Sequence, residues 1–188
     1  MTTSSKTLLK NFPTSEEMTA IIYDLKGKDA RTVTIMGASY LEYGLEQLLR
    51  THFRDLNKDD SKNIFDGGNA VLATFSAKIR IAYAMSLIEG AVYRDLLLIK
   101  DIRNVFAHSL HNIDFTHKLI ETDCQKLTSL IELYKVMDFS CPFTSAPDIF
   151  LETVHHISLV LFCRDLQTTL SKAFDSIGNE IVSGINIR

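Results

Sequence analysis

Residues 98–111 read LIKDIRNVFAHSLH and combine a helical core pattern with an unusual run of polar side chains. The apolar residues recur at intervals of three and four, as they do on one buried face of an α-helix. They are Leu98, Ile99, Ile102, Val105, Phe106 and Leu110. Asp101, Asn104, His108 and His111 follow at i, i+3, i+7 and i+10 and form a polar stripe. The pattern predicts a helix with one face in the core and a polar ridge beside it.

Arg103 lies on the flank of this ridge, about 140° around the helix from His108. Its long side chain can still reach a groove shared with the histidine. An arginine and a histidine together can bind a phosphate and transfer a proton. The alternative is a structural face, solvated or between helices, on which Asp101 neutralises Arg103. The residues alone leave both interpretations open.

Helical spacing continues over most of the chain, which contains only three prolines and eight glycines. We predict an all-α fold, a single-domain helical bundle of about six or seven helices. The bundle is expected over residues 15–177, after a flexible segment at 1–14 and before a tail at 178–188. Predicted helices cover about 15–26, 30–54, 74–88, 91–110, 114–136 and 147–177, with a polar loop at 55–72.

Composition narrows the class of function. A formal net charge of −3 argues against a broad basic surface for duplex DNA, and no helix-turn-helix with a basic recognition helix is evident. We see no signal peptide, and no stretch near the roughly 18 apolar residues of a membrane span. The three cysteines form no CxxC motif and indicate free thiols in a reducing compartment. We therefore expect a cytoplasmic protein.

The segment from Arg103 to His108 resembles the Rx4–6H signature of HEPN domains, which are small helical bundles. Asn104 matches the polar residue that commonly follows the arginine in that family. Many HEPN proteins are metal-independent ribonucleases. The resemblance implies that His108 helps activate the attacking 2′-hydroxyl and that Arg103 contacts the scissile phosphate. It also implies a site completed across a homodimer.

A longer stretch, residues 65–110, resembles proteins of the mannitol operon repressor family. Their pattern is a Gly/Asn loop, Ser-x-(Lys/Arg), an apolar helix with Tyr-Ala, and a helix closing on Arg-Asn-x-Phe-Ala-His. The matching residues are Asn69, Phe75, Ser76, Lys78, Tyr83, Ala84, Leu96, Ile102, Arg103, Asn104, Phe106, Ala107 and His108. Val71 and Ser86 depart from the pattern, where a proline and a glycine are expected. The resemblance covers about residues 30–120 and implies a role in transcriptional regulation.

Other polar residues have less specific patterns. Glu42 and Glu46 lie one helical turn apart, and we expect them to form an acidic face or to pair with Arg103 or Lys78. An acid–base or metal pair is the alternative. The adjacent His155 and His156 are predicted to be one packed and one exposed histidine, and Cys163 is predicted to lie in the core. No third ligand accompanies His108 and His111 at zinc-like spacing, so we predict neither a metal nor a cofactor.

Two functions follow from these patterns. The first is a regulatory helical protein that binds a protein partner and acts in transcription without gripping DNA itself. The alternative is a metal-independent endoribonuclease that uses Arg103, Asn104 and His108 at a dimer cleft. Both interpretations include a homodimer, which we expect to form beside the 91–110 helix.

Overall fold

The computed structural model describes residues 15–66 and 68–164, and within these ranges the chain forms helices and no strand. The predicted all-α bundle is confirmed. The helices are α1 (Ser15–Leu25), α2 (Ala30–His52), α3 (Lys58–Phe65), α4 (Phe75–Ala84), α5 (Gly90–His108), α6 (Lys118–Cys124), α7 (Ser129–Val136) and α8 (Ala146–Arg164). The expectations for the segment 1–14, the end of the last helix and the tail lie outside the described residues.

Three helices form the centre of the bundle, because α2, α4 and α5 each pack against the other two. Leu41, Leu45 and Leu48 of α2 are completely buried, as are Ile99 and Phe106 of α5. These positions keep the helical spacing that the sequence shows, so burial of one apolar stripe per helix accounts for the packing. The site described below lies where the polar flanks of the three helices meet.

The predicted core face of α5 is partly wrong. Ile102 and Phe106 are buried, but Val105 is 47% exposed and Leu110 is 99% exposed. The helix ends at His108, two residues earlier than predicted, and Leu110 therefore leaves the helical stripe. Val105 lies beside Phe106 and so about 100° away from its buried side chain.

Helix α3 was predicted as loop. Its N-cap is Asn57, whose side chain accepts a hydrogen bond from the backbone N–H of Asp60 at 2.8 Å, and two acids follow in the first turn. Such a cap and such charges stabilise a helix start. Only Phe65 is buried in α3, so the apolar spacing that usually reveals a helix is missing.

Two further boundaries differ from the prediction. Helix α4 ends at Ala84 rather than near residue 88, because the chain turns at Ser86, which has a φ of 58°. The predicted helix over 114–136 is two helices, α6 and α7, joined by a turn that contains the fully buried Leu127. A turn that buries a leucine keeps the apolar spacing of a helix, so the sequence pattern does not reveal the break.

Helix α8 is long and apolar enough to cross a membrane by length and composition, which the sequence analysis did not anticipate. Its side chains Phe150, Val154, Ile157 and Leu161 are completely buried in the bundle. A Cβ atom at Gly37 of α2 would lie 3.4 Å from the side chain of Val154, so α8 packs directly on α2. Packing in the core accounts for the apolar composition of α8.

Candidate functional site

The polar flanks of α2, α4 and α5 meet in an ion-pair network formed by Glu42, Glu46, Arg50, Lys78 and Arg103. Lys78 of α4 lies at its centre and is only 5% exposed. Its Nζ atom lies 2.9 Å from Oε2 of Glu46 and 3.3 Å from Oε1 of Glu42. A buried ammonium group is stable only when it is paired in this way. The network therefore fixes the position of α4 against α2.

The network extends along α2 because its members are spaced four residues apart. Nη2 and Nε of Arg50 lie 2.8 and 3.0 Å from Oε1 of Glu46, and Nη1 donates to the Ser61 hydroxyl at 2.7 Å. The guanidinium group also stacks 4.0 Å above the ring of Phe65. Arg50 thus connects α2 with α3 at the end of the network.

Arg103 reaches the network from α5. Its Nη2 atom lies 3.4 Å from Oε2 of Glu42, and its side chain is 26% exposed. This separation is at the long end of a hydrogen bond. Its Nε atom is buried and has no hydrogen-bond partner among the residues that the structure describes. Arg103 is therefore held by one loose contact with a carboxylate of α2, and Asp101 instead pairs with Lys100 at 2.8 Å.

The other residues of the polar ridge lie away from this network. His108 is exposed at the end of α5, and its ring makes no hydrogen bond within the described residues. Asn104 is half-buried and likewise makes no side-chain hydrogen bond there. His111 contributes its backbone carbonyl, which accepts from Arg31 at 3.4 Å. The structure thus turns Arg103 toward α2 and leaves His108 in solvent.

Asp95 is a polar residue of the core that the sequence analysis missed. It is 1% exposed, and its carboxylate accepts hydrogen bonds from the backbone N–H groups of Thr128, at 3.0 Å, and Ser129, at 2.7 Å. The first N–H groups of a helix have no acceptor within that helix, so a side chain of α5 caps α7. In the sequence, Asp95 lies four residues before Ile99 on the apolar face of the helix, and this position indicates a buried carboxylate.

The two adjacent histidines of α8 are both half-buried, so the prediction of one packed and one exposed ring is wrong. Nδ1 of His155 lies 3.7 Å from Oε2 of Glu152. Burial lowers the pKa of His156 below its usual value of 6.5, although the nearby carboxylate of Asp95 acts in the opposite direction. The neutral form of His156 is therefore favoured in the folded protein.

The cysteines and the metal-type ligands form no further site in the residues that the structure describes. Cys124 is buried, and burial raises the pKa of its thiol to about 12. Cys163 is exposed, so its predicted place in the core is wrong, since that side of α8 faces solvent. Within 15–66 and 68–164, no three His, Cys, Asp or Glu side chains lie close enough together to hold a metal ion.

No protein-family model and no curated protein sequence matches the chain. Several solved structures are similar in fold, among them the following two. The X-ray structure of the MtlR–HPr complex from Escherichia coli matches with a TM-score of 0.61 and 16% identity, over 77% of this chain and 97% of that one. The possible transcriptional regulator YggD from Shigella flexneri 2a strain 2457T matches with a TM-score of 0.53 and 14% identity, over 84% and 98%. The chain therefore has an MtlR-like fold.

Proposed function

We propose that this chain is a cytoplasmic regulatory protein of the mannitol operon repressor type, which acts in transcriptional control by binding a protein partner. The observation that carries the proposal is the MtlR-like fold, shared over 97% of the MtlR chain in a structure that contains HPr. The motif resemblance over residues 30–120 is consistent with the same assignment. HPr itself, or a small protein like it, is the partner we propose.

Charge favours a protein partner over DNA. The net charge is −3, and the three cations of the network, Arg50, Lys78 and Arg103, are already paired with Glu42 and Glu46. Affinity for duplex DNA depends on the number of phosphates that lysines and arginines neutralise. The three cations of the network are therefore not available for such contacts.

Arg103 also supports the regulatory function. A catalytic arginine of a nuclease must meet a phosphate, yet the guanidinium group of Arg103 contacts the carboxylate of Glu42 at 3.4 Å. A carboxylate next to that group repels a phosphate, and Glu42 would have to separate from Arg103 before RNA could bind. The motif residue is thus better placed to join α5 to α2 than to bind substrate.

Titration of the full chain with purified HPr from the same organism, followed by isothermal calorimetry, tests the proposal. We expect saturable binding in the micromolar range, and no binding to an unrelated protein of similar size. If no heat of binding is seen at concentrations up to about 300 µM, which covers weak signalling complexes, HPr is not the partner.

The second candidate function is a metal-independent endoribonuclease that uses Arg103, Asn104 and His108. The exposure of the His108 ring, which makes no hydrogen bond in the described part of the chain, favours it. Mixed RNA incubated with the protein without metal distinguishes the two functions. We expect no cleavage. Cleavage that is lost in His108→Ala, at an unchanged melting temperature, would make the nuclease the better assignment.

A further inference from the structure

The end of α7 and the turn after it form an apolar surface that the bundle does not cover. The surface consists of Leu133, Val136, Met137 and Phe139, which are 39, 85, 54 and 64% exposed. We call it the α7 surface. Its exposed side chains amount to on the order of 400 Å², the size of the largest apolar patch on a typical monomer, which is often functional.

The backbone holds this surface in a fixed shape. Asp138 has a φ of 59°, and the N–H of Phe139 donates to the carbonyl of Tyr134 at 2.9 Å. The N–H of Asp138 donates to the carbonyl of Lys135 at 3.1 Å. These two bonds around a left-handed residue are the Schellman arrangement that ends many helices. Met137 and Phe139 are therefore presented by an ordered helix end.

Two charged residues flank the apolar side chains. Lys135 and Asp138 are both exposed, carry opposite charges and form no ion pair within the described residues. In a twofold symmetric interface the same surface of each subunit meets itself, so residue i contacts residue j in both directions. An apolar centre with one free cation and one free anion beside it is complementary to a second copy of itself.

We propose that two copies of this chain associate through the α7 surface about a twofold axis. Val136, Met137 and Phe139 lie at the centre, and Lys135 of each subunit faces Asp138 of the partner subunit. The surface is about half of the roughly 800 Å² per subunit that a stable complex buries, so the dimer is weak and depends on concentration. The inference does not depend on the proposed function, and it places the dimer on α7, which itself packs against α5.

Sedimentation velocity of the full chain tests whether it dimerises through the α7 surface. Concentrations from about 1 to 300 µM cover weak, transient association. We expect a shift from monomer to dimer over this range. Val136→Glu should weaken the association by at least about tenfold, because it places a charge in the apolar centre. Val71→Glu is the matched control, since Val71 is 75% exposed in the loop before α4, and it should dimerise like the wild type.

Charge reversal tests the twofold pairing. Lys135→Glu and Asp138→Lys should each weaken the dimer, because each creates two like-charge contacts. A mixture of the two variants should dimerise again, because both contacts then join opposite charges. A wild type that stays monomeric throughout, or a dimer that Val136→Glu leaves intact, would overturn the surface. If the single variants do not dimerise and their mixture does not dimerise either, the proposed pairing is wrong.

Discussion

Lys78 is almost completely buried and yet carries a charge, so its partners decide whether it stabilises the fold. It joins Glu42 and Glu46, and no other side chain of the network contacts both carboxylates. Lys78→Met keeps most of the volume but leaves two half-buried carboxylates without their shared cation. We expect the free energy of unfolding to fall by about 3 kcal/mol in urea titrations. Arg80→Met, an exposed change on the same helix, should stay within about 0.5 kcal/mol.

Arg103 is expected to matter less than Lys78, because Glu42 keeps its contact with Lys78 when Arg103 is removed. Arg103→Ala should lower the free energy of unfolding by about 1 kcal/mol, the usual contribution of one hydrogen bond. His108→Ala should change it by less than about 0.5 kcal/mol, since the ring is exposed. A loss above about 3 kcal/mol in Arg103→Ala would mean that the guanidinium group neutralises a fully buried charge.

His156 should make stability depend on pH. Its pKa in the folded protein lies below 6.5, so the unfolded chain binds a proton more readily than the folded one. Stability is then highest above about pH 6.5 and falls as the pH drops from there toward the folded pKa. The free energy of unfolding, measured at pH 7.5 and 5.5 (values chosen at about one unit on either side), should fall less in His156→Gln than in the wild type. Equal losses in both proteins would contradict this.

At the scale of the helix, the cap of α7 by Asp95 shows how one element fixes another. Asp95→Ala leaves the buried N–H of Ser129 and the half-buried N–H of Thr128 without this acceptor. We expect a loss of about 2–3 kcal/mol, measured by urea unfolding, because several buried bonds to a charged group disappear together. Asp101→Ala, on the same helix but exposed, is the matched control and should be nearly neutral. A neutral Asp95→Ala would mean that water replaces the cap.

The helices that follow a clear apolar spacing could be predicted from the sequence, and those that do not could not. Leu41, Leu45 and Leu48 repeat over about two turns, so α2 was evident. Helix α3 buries only Phe65 and depends on the cap at Asn57, which looks like any polar loop residue. The break between α6 and α7 depends on a capping carboxylate from α5, more than thirty residues away in the chain. Local patterns do not contain such contacts.

For the site too, the spacing within one helix could be predicted from the sequence, and the contacts between helices could not. The spacing of Glu42 and Glu46 places them on one face, which suggests a basic partner on a neighbouring helix. The choice of Lys78 as that partner, and the direction in which Arg103 turns, depend on how α4 and α5 cross α2. The polar ridge follows from the spacing within one helix. Whether Arg103 and His108 share a cleft depends on how the helices of the bundle pack.

At the scale of the whole molecule, the balance of charge predicts whether the protein binds duplex DNA. The net charge is −3, and the central cations Arg50, Lys78 and Arg103 are held by carboxylates of the protein. These three cations cannot contact phosphates, and the excess of acidic over basic residues (23 against 20) opposes binding to a polyanion. We expect no specific complex with duplex DNA at about 0.15 M salt in fluorescence anisotropy, for the full chain without a partner. If the chain regulates transcription, its effect on DNA should therefore require the partner protein. A nanomolar, sequence-specific complex formed by the chain alone would contradict this expectation, and a steep fall in its affinity with salt would reveal basic residues outside the described network.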